Sequence, residues 1–158
     1  MKNLLLMRHA NAAEKLIGQT DHDRELTLLG ERHAGEAGIW MKKHELVPQL
    51  VLCSTAVRTL ATCHEVLESF AKPVKVQHEK VIYSGSETDM LHLVQDVDEQ
   101  VDTLLLIGHN PTISILGSLL ANEEISFEPA NVALLQFQAV TWEEVKSGQG
   151  KLTNFYRA

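Results

Sequence analysis

Arg8 and His9 follow the apolar run Leu4-Leu5-Leu6-Met7 without a break. Two more sets of polar groups have the same setting. The run at 50–53 leads into Ser54-Thr55-Ala56-Val57-Arg58, and the run at 104–107 leads into Gly108-His109-Asn110-Pro111. Two arginines and two histidines at the ends of apolar runs describe an anion site. Arginine presents planar forks to phosphate oxygens, and helix N-termini add free N–H groups and partial positive charge. A dianionic phosphoryl group would use all of these. Neutral imidazole is a competent nucleophile at phosphorus, and phosphoryl transfer rests mainly on positioning and charge stabilisation at the equatorial oxygens. His9, beside Arg8, is expected to attack in line. His109 is expected to donate to a phosphoryl oxygen alongside Arg8 and Arg58. Ser54 and Asn110, just beyond the other two runs, join the candidate substrate-binding set.

These groups meet only if the strands that carry them end on one edge. Strands are expected at 4–7, 50–53, 74–76, 103–107 and 132–137, with a closing edge strand at 152–156. Helical spacing is read at 28–44, through Ala34, Ala37 and Met41, and at 57–70. Ser86 followed by Asp89 resembles a capping box opening a helix through Val97. Asn110 ahead of Pro111 places an N-cap before a proline at the first helical position, so a helix is expected from 111. Strands alternating with helices imply an α/β fold, a three-layer sandwich with a mainly parallel sheet and helices on both faces. Such sheets place chemistry outside the carboxyl ends of their strands, where Arg8, His9, Arg58 and His109 can converge. No repeat, low-complexity tract or linker divides the chain, and 1–158 reads as a single domain.

Composition narrows the function classes. A net charge of -7 argues against a general nucleic-acid or anionic-membrane binder, which needs a basic face. The two cysteines, Cys53 and Cys63, make no disulfide framework, and the opening residues lack a signal-peptide pattern. The apolar runs fall far short of a bilayer span. A reduced, cytoplasmic monomer is expected. The pair Cys53 and Arg58 is the alternative anion site, with a thiolate as nucleophile. It has one residue too few between its members and lacks the glycines that let amides circle an anion. His22-Asp23 with His9 lacks any recurring metal-ligand spacing.

Four segments carry a resemblance to the histidine phosphatase (phosphoglycerate mutase-like) superfamily. Leu6-Met7-Arg8-His9-Ala10 resembles its Arg-His-Gly signature, with alanine in the glycine place. Leu26-Thr27-Leu28-Leu29-Gly30 with Ala34 resembles its Leu-Thr-x-x-Gly-x-x-x-Ala helix start. Ser54-Thr55-Ala56-Val57-Arg58-Thr59 with Thr62 resembles its Ser-x-x-x-Arg-Thr-x-x-Thr stretch, with threonine where proline is common, and Gly108-His109-Asn110-Pro111 resembles its second-histidine motif. Order, spacing and small size are most similar to the short SixA-type phosphohistidine phosphatases, and Arg24 before Leu26-Thr27 matches that branch.

The resemblance implies a phosphoglycerate mutase-like fold and a phosphatase that works without metal or cofactor. His9 would be phosphorylated transiently, Arg8, Arg58 and His109 would bind the phosphoryl group, and Arg24 would contact phosphate or the substrate rim. The implied partner is a phosphohistidine-bearing protein or a small phosphate substrate. An ester leaving group needs a proton, and Glu79 is the nearest carboxylate by position. Its setting matches the usual acid motif poorly, which favours an activated phosphate such as phosphohistidine over a simple ester. A small-molecule phosphomonoesterase of the same fold and a non-catalytic phosphoprotein-binding module are the alternatives.

Overall fold

An unbroken apolar run in a strand requires cover on both faces. The computed structural model, which describes residues 1–158, divides those side chains by parity. Leu4, Leu6, Leu104, Leu106, Leu50 and Leu52 face one buried layer, and Leu5, Met7, Leu105, Ile107, Val51 and Cys53 face the other. The strands are β1 (Lys2–Arg8), β2 (Leu50–Cys53), β3 (Lys75–His78), β4 (Thr103–Gly108), β5 (Val132–Phe137) and β6 (Lys151–Tyr156). They form one sheet in the order β3-β2-β4-β1-β5-β6. The first four run parallel, β5 runs antiparallel to β1, and β6 runs antiparallel to β5.

Helices α1 (Leu28–Lys43) and α2 (Val57–Leu67) cover one face through Ala34, Ala37, Met41, Cys63 and Val66. Beyond the short α3 (Lys80–Ser84), α4 (Glu87–Gln95) and α5 (Thr112–Ala121) cover the other through Met90, Val94, Ile113, Leu116 and Leu120, with Trp142 beside them. The expected three-layer α/β fold is present, and the closing edge strand is β6. Ser86 and Asp89 form the reciprocal capping box at the start of α4. The start of α5 differs from expectation by one residue. Pro111 is the N-cap, after a cis Asn110–Pro111 bond, and the Asn110 side chain is occupied elsewhere.

Both ends of β1 are tied down. At its start, Lys2 is buried and its Nζ donates to the main-chain oxygens of Glu99 and Val101 and to Asp102 Oδ1. Past its other end, Asn11 meets the first turn of α1. Its main-chain oxygen accepts from Thr27 N at 3.0 Å. Thr27 Oγ1 accepts from Gly30 N as the N-cap and donates to Asn11 Oδ1 at 2.8 Å. Contact is so close that a Cβ on Gly30 would lie 2.1 Å from Asn11 O. Since that atom is backbone, a Gly30→Ala substitution must separate α1 from the segment after β1. A loss of about 2–3 kcal/mol is expected, measured as a lowered urea midpoint. A midpoint equal to that of the wild type contradicts the contact.

Candidate active site

Parallel register decides which residues emerge together. Arg8 lies opposite Gly108, and Cys53 lies opposite Ile107. The residues that follow are stitched across the same edge, with His9 N donating to Gly108 O at 3.0 Å and Ser54 N to Ile107 O at 3.3 Å. His9 and His109 are thereby brought to a ring-centroid separation of 5.3 Å, close enough for both to touch one tetrahedral group.

Each imidazole has one nitrogen engaged. His9 Nδ1 lies 2.8 Å from Ala10 O, so Nδ1 carries the proton and Nε2 keeps its lone pair. The Ala10 amide donates to Thr62 Oγ1, whose hydroxyl donates to Arg58 O. On the other ring, His109 Nε2 lies 2.8 Å from Ser54 Oγ. That oxygen also accepts from Ala56 N; its hydrogen is assigned to Nε2, which places the His109 proton at Nδ1. Burial, opposed by the Ala10 carbonyl and aided by Arg58, Arg8 and Arg24, lowers the His9 pKa to about 4. Burial, then His9 and Arg58, lowers that of His109 to about 3. Both rings are neutral at pH 7.

Three buried side-chain nitrogens have no partner in the protein: Arg8 Nε, Arg58 Nε and His109 Nδ1. All are donors, and all belong to the groups around His9. Arg8 is oriented by Phe127 O, which accepts from Nη1 at 3.0 Å. Arg58 rises from the first turn of α2 and is held by Asp21, whose main-chain O accepts from Nη1 at 2.7 Å and whose Oδ2 accepts from Nη2 at 3.1 Å. A buried N–H without a partner is costly, and Arg8, Arg58 and His109, all neighbours of His9, leave three such groups free, a candidate oxyanion cradle.

Outside the cradle lies a rim that the motifs do not announce. Arg24 lies here, donating from Nε to Ala13 O and from Nη1 to Asp21 Oδ1 at 3.1 Å. It lines an open cleft of about 370 Å³ with Glu14, Lys15 and Asp21. Asp21 also accepts from the Tyr83 hydroxyl at 2.8 Å. That bond, then Arg24 and Arg58, holds the Asp21 carboxyl well below the usual carboxylate range. Tyr83 stands edge-on to His109 and to His22. Asp21 and Tyr83 are the site residues missed in the sequence. The only local signal was the spacing of Asp21 three residues before Arg24 on a short turn.

The remaining candidates have other placements. Glu79 follows β3, and its N–H donates to Cys53 O, so its main chain is at the correct edge. Its carboxylate, however, accepts from Gln77 Nε2, and no hydrogen bond or ion pair links it to His9, His109, Arg8 or Arg58. Asn110 has both ends of its amide engaged, Nδ2 with Phe127 O and Oδ1 with the Ser114 hydroxyl, and so braces the carbonyl that orients Arg8. Cys53 is buried, donates to Thr59 O, and has its thiol pushed far up by Cys63 and by burial, which excludes a resting thiolate. No helix is long and apolar enough to cross a membrane.

Comparison with known proteins agrees with this geometry. The family model of the histidine phosphatase superfamily (branch 1) matches residues 4–80. An uncharacterized protein of Mycobacterium tuberculosis is 33% identical over 95% of this chain and 98% of its own length. The phosphohistidine phosphatase SixA homolog of Haemophilus influenzae is 30% identical, covering 84% of this chain and 87% of its own. Among solved structures, a SixA-type protein of Nakamurella multipartitia superposes with a TM-score of 0.84 at 28% identity, over 99% of this chain and 95% of that chain. The protein histidine phosphatase SixA complexed with tungstate superposes at 0.83 with 22% identity, over 97% and 95%. The chain belongs to the histidine phosphatase superfamily, and its fold is the one shared by SixA-type and phosphoglycerate mutase-like proteins. The family and its SixA-type relatives support a phosphatase, a hydrolase of phosphorylated substrates.

The lowered histidines tie stability to pH. The unfolded chain protonates these rings below about 6.5, whereas the folded chain resists until about 4 for His9. Unfolding therefore takes up protons in that window, and stability falls as pH falls through it. For His9 alone the loss at pH 5 is about 2 kcal/mol. Urea midpoints at pH 7.5 and 5.0 are expected to differ by less in His9→Gln than in the wild type. An equal difference in both proteins contradicts a neutral buried His9.

Proposed function

We propose that this protein is a phosphohistidine phosphatase acting through a phosphorylated His9. The observation that supports the reading is three unpartnered buried N–H groups, on Arg8, Arg58 and His109, each on a residue next to a neutral His9 whose Nε2 is free. His9 Nε2 attacks phosphorus, forming an N–P bond as the bond to the leaving group breaks. The phosphoryl oxygens take the Arg8 and Arg58 N–H groups and the His109 Nδ1–H, which matches charge to the trigonal transition state. Water then attacks phosphorus, the His9 N–P bond breaks, and inorganic phosphate leaves. No step draws on a metal or cofactor.

The leaving group decides the substrate class. A phosphohistidine departs as imidazole, a better leaving group than an alkoxide, and needs less acid assistance. With its carboxylate bonded to Gln77, Glu79 is not aimed at an alkoxide leaving group. The open cleft at Arg24 suits a group carried on a protein surface.

Wild-type and His9→Ala proteins, in EDTA, are to be incubated with a phosphohistidine-bearing protein and with a panel of phosphate esters. Turnover of phosphohistidine is expected to exceed that of alkyl esters by about 100-fold. Acid-labile phosphate should be trapped on the wild type and absent from His9→Ala. Preferred turnover of a small ester would instead select the phosphomonoesterase reading. Oxyanion binding without turnover of any substrate would select the phosphoprotein-binding module.

A further inference from the structure

The Arg58 guanidinium has two edges that can grip an oxyanion. Asp21 covers the end-on edge, at Nη1 and Nη2. The side-on edge, formed by Nε–H and the second N–H of Nη2, keeps its Nε buried and unpartnered. Asp21 is itself fixed from the far side. The Tyr83 hydroxyl and Arg58 share Oδ2, and Arg24 holds Oδ1. Tyr83 comes from α3, Asp21 from the short turn at Asp21–Asp23, and Arg58 from α2, so three elements are joined at one carboxylate. The Tyr83 ring also lies 5.9 Å from the Arg58 guanidinium and 5.5 Å from the His109 ring.

By sign alone, a carboxylate beside a phosphoryl site opposes binding. Its location on the edge of Arg58 opposite the buried, unpartnered Nε gives it a different use. We propose that Asp21, held by Tyr83, is a positioning residue that turns the side-on edge of Arg58 toward the phosphoryl group. This rests on the phosphoryl-binding reading given above. Without the strut, Arg58 gains torsional freedom, and the oxyanion must order the guanidinium when it binds.

Tungstate, a tetrahedral dianion, serves as the probe in calorimetric titrations at pH 7.5 on wild type, Asp21→Asn and Tyr83→Phe. Positioning predicts about tenfold weaker binding in Asp21→Asn and about threefold weaker binding in Tyr83→Phe. The kcat for p-nitrophenyl phosphate is expected to fall in both. A carboxylate that is only a neighbour predicts the opposite sign: tungstate binds more tightly once the repulsion is gone, and kcat stays unchanged. That result overturns the proposal. Tyr83→Phe keeps its ring packing, so it still decides the matter if Asp21→Asn folds poorly.

The effect must also pass through Arg58. In an Arg58→Ala background, Asp21→Asn should change tungstate affinity by less than about twofold. An equal change in both backgrounds overturns the inference. If the wild type binds tungstate and turns over no substrate, the enzymatic reading fails while this cycle still tests the strut.

Discussion

A guanidinium taken out of water must be held in one orientation, with an edge left unpartnered, if it is to serve an incoming anion. This chain meets that requirement twice at one end of its sheet. Arg8 is steered by the neutral carbonyl of Phe127, and Arg58 by the carbonyl and carboxylate of Asp21. The Phe127 carbonyl is in turn braced by Asn110, and Ser114 links Asn110 to the Phe127 amide. Much of what surrounds the strand ends therefore serves the aim of two cations. Both histidines fit the same logic, since a protonated ring there would add unwanted charge next to the arginines. The cluster is local, within a chain of net charge -7. That surrounding charge repels dianions at long range and is screened by salt within about 10 Å at 0.1 M, so capture depends on close contact.

The parts of the structure most legible in the sequence were those ruled by repeating apolar contacts. Leu4 to Met7 and Leu104 to Ile107 could only be strands covered on two faces, and their parallel pairing follows from the helices between them. Once the sheet edge was fixed, Arg8, His9, Arg58 and His109 had few other places to go. Asp21 and Tyr83 leave no mark in the sequence because one lies in a three-residue helical turn and the other in the five-residue α3, both too short to show a period. Asn110 reads as a helix cap by its neighbour Pro111, yet its Oδ1, the atom a cap would use, accepts from the Ser114 hydroxyl while Nδ2 donates to Phe127 O. Glu79 follows β3 directly, but β3 is short and exposed, and the Glu79 carboxylate bonds its near neighbour Gln77.

Strand β1 supports the site from an unexpected distance. Lys2 is clamped at one end by the 99–102 turn, and Arg8 works at the other. Seven residues at about 3.3 Å each make a rod of about 20 Å, with no slack for a change of register against β4. The ammonium of Lys2 thus behaves as a dowel that indexes the whole strand, and acylating that amine would unseat the peg. The disturbance would be transmitted lengthwise, through a stiff backbone, to a reaction centre that Lys2 never touches.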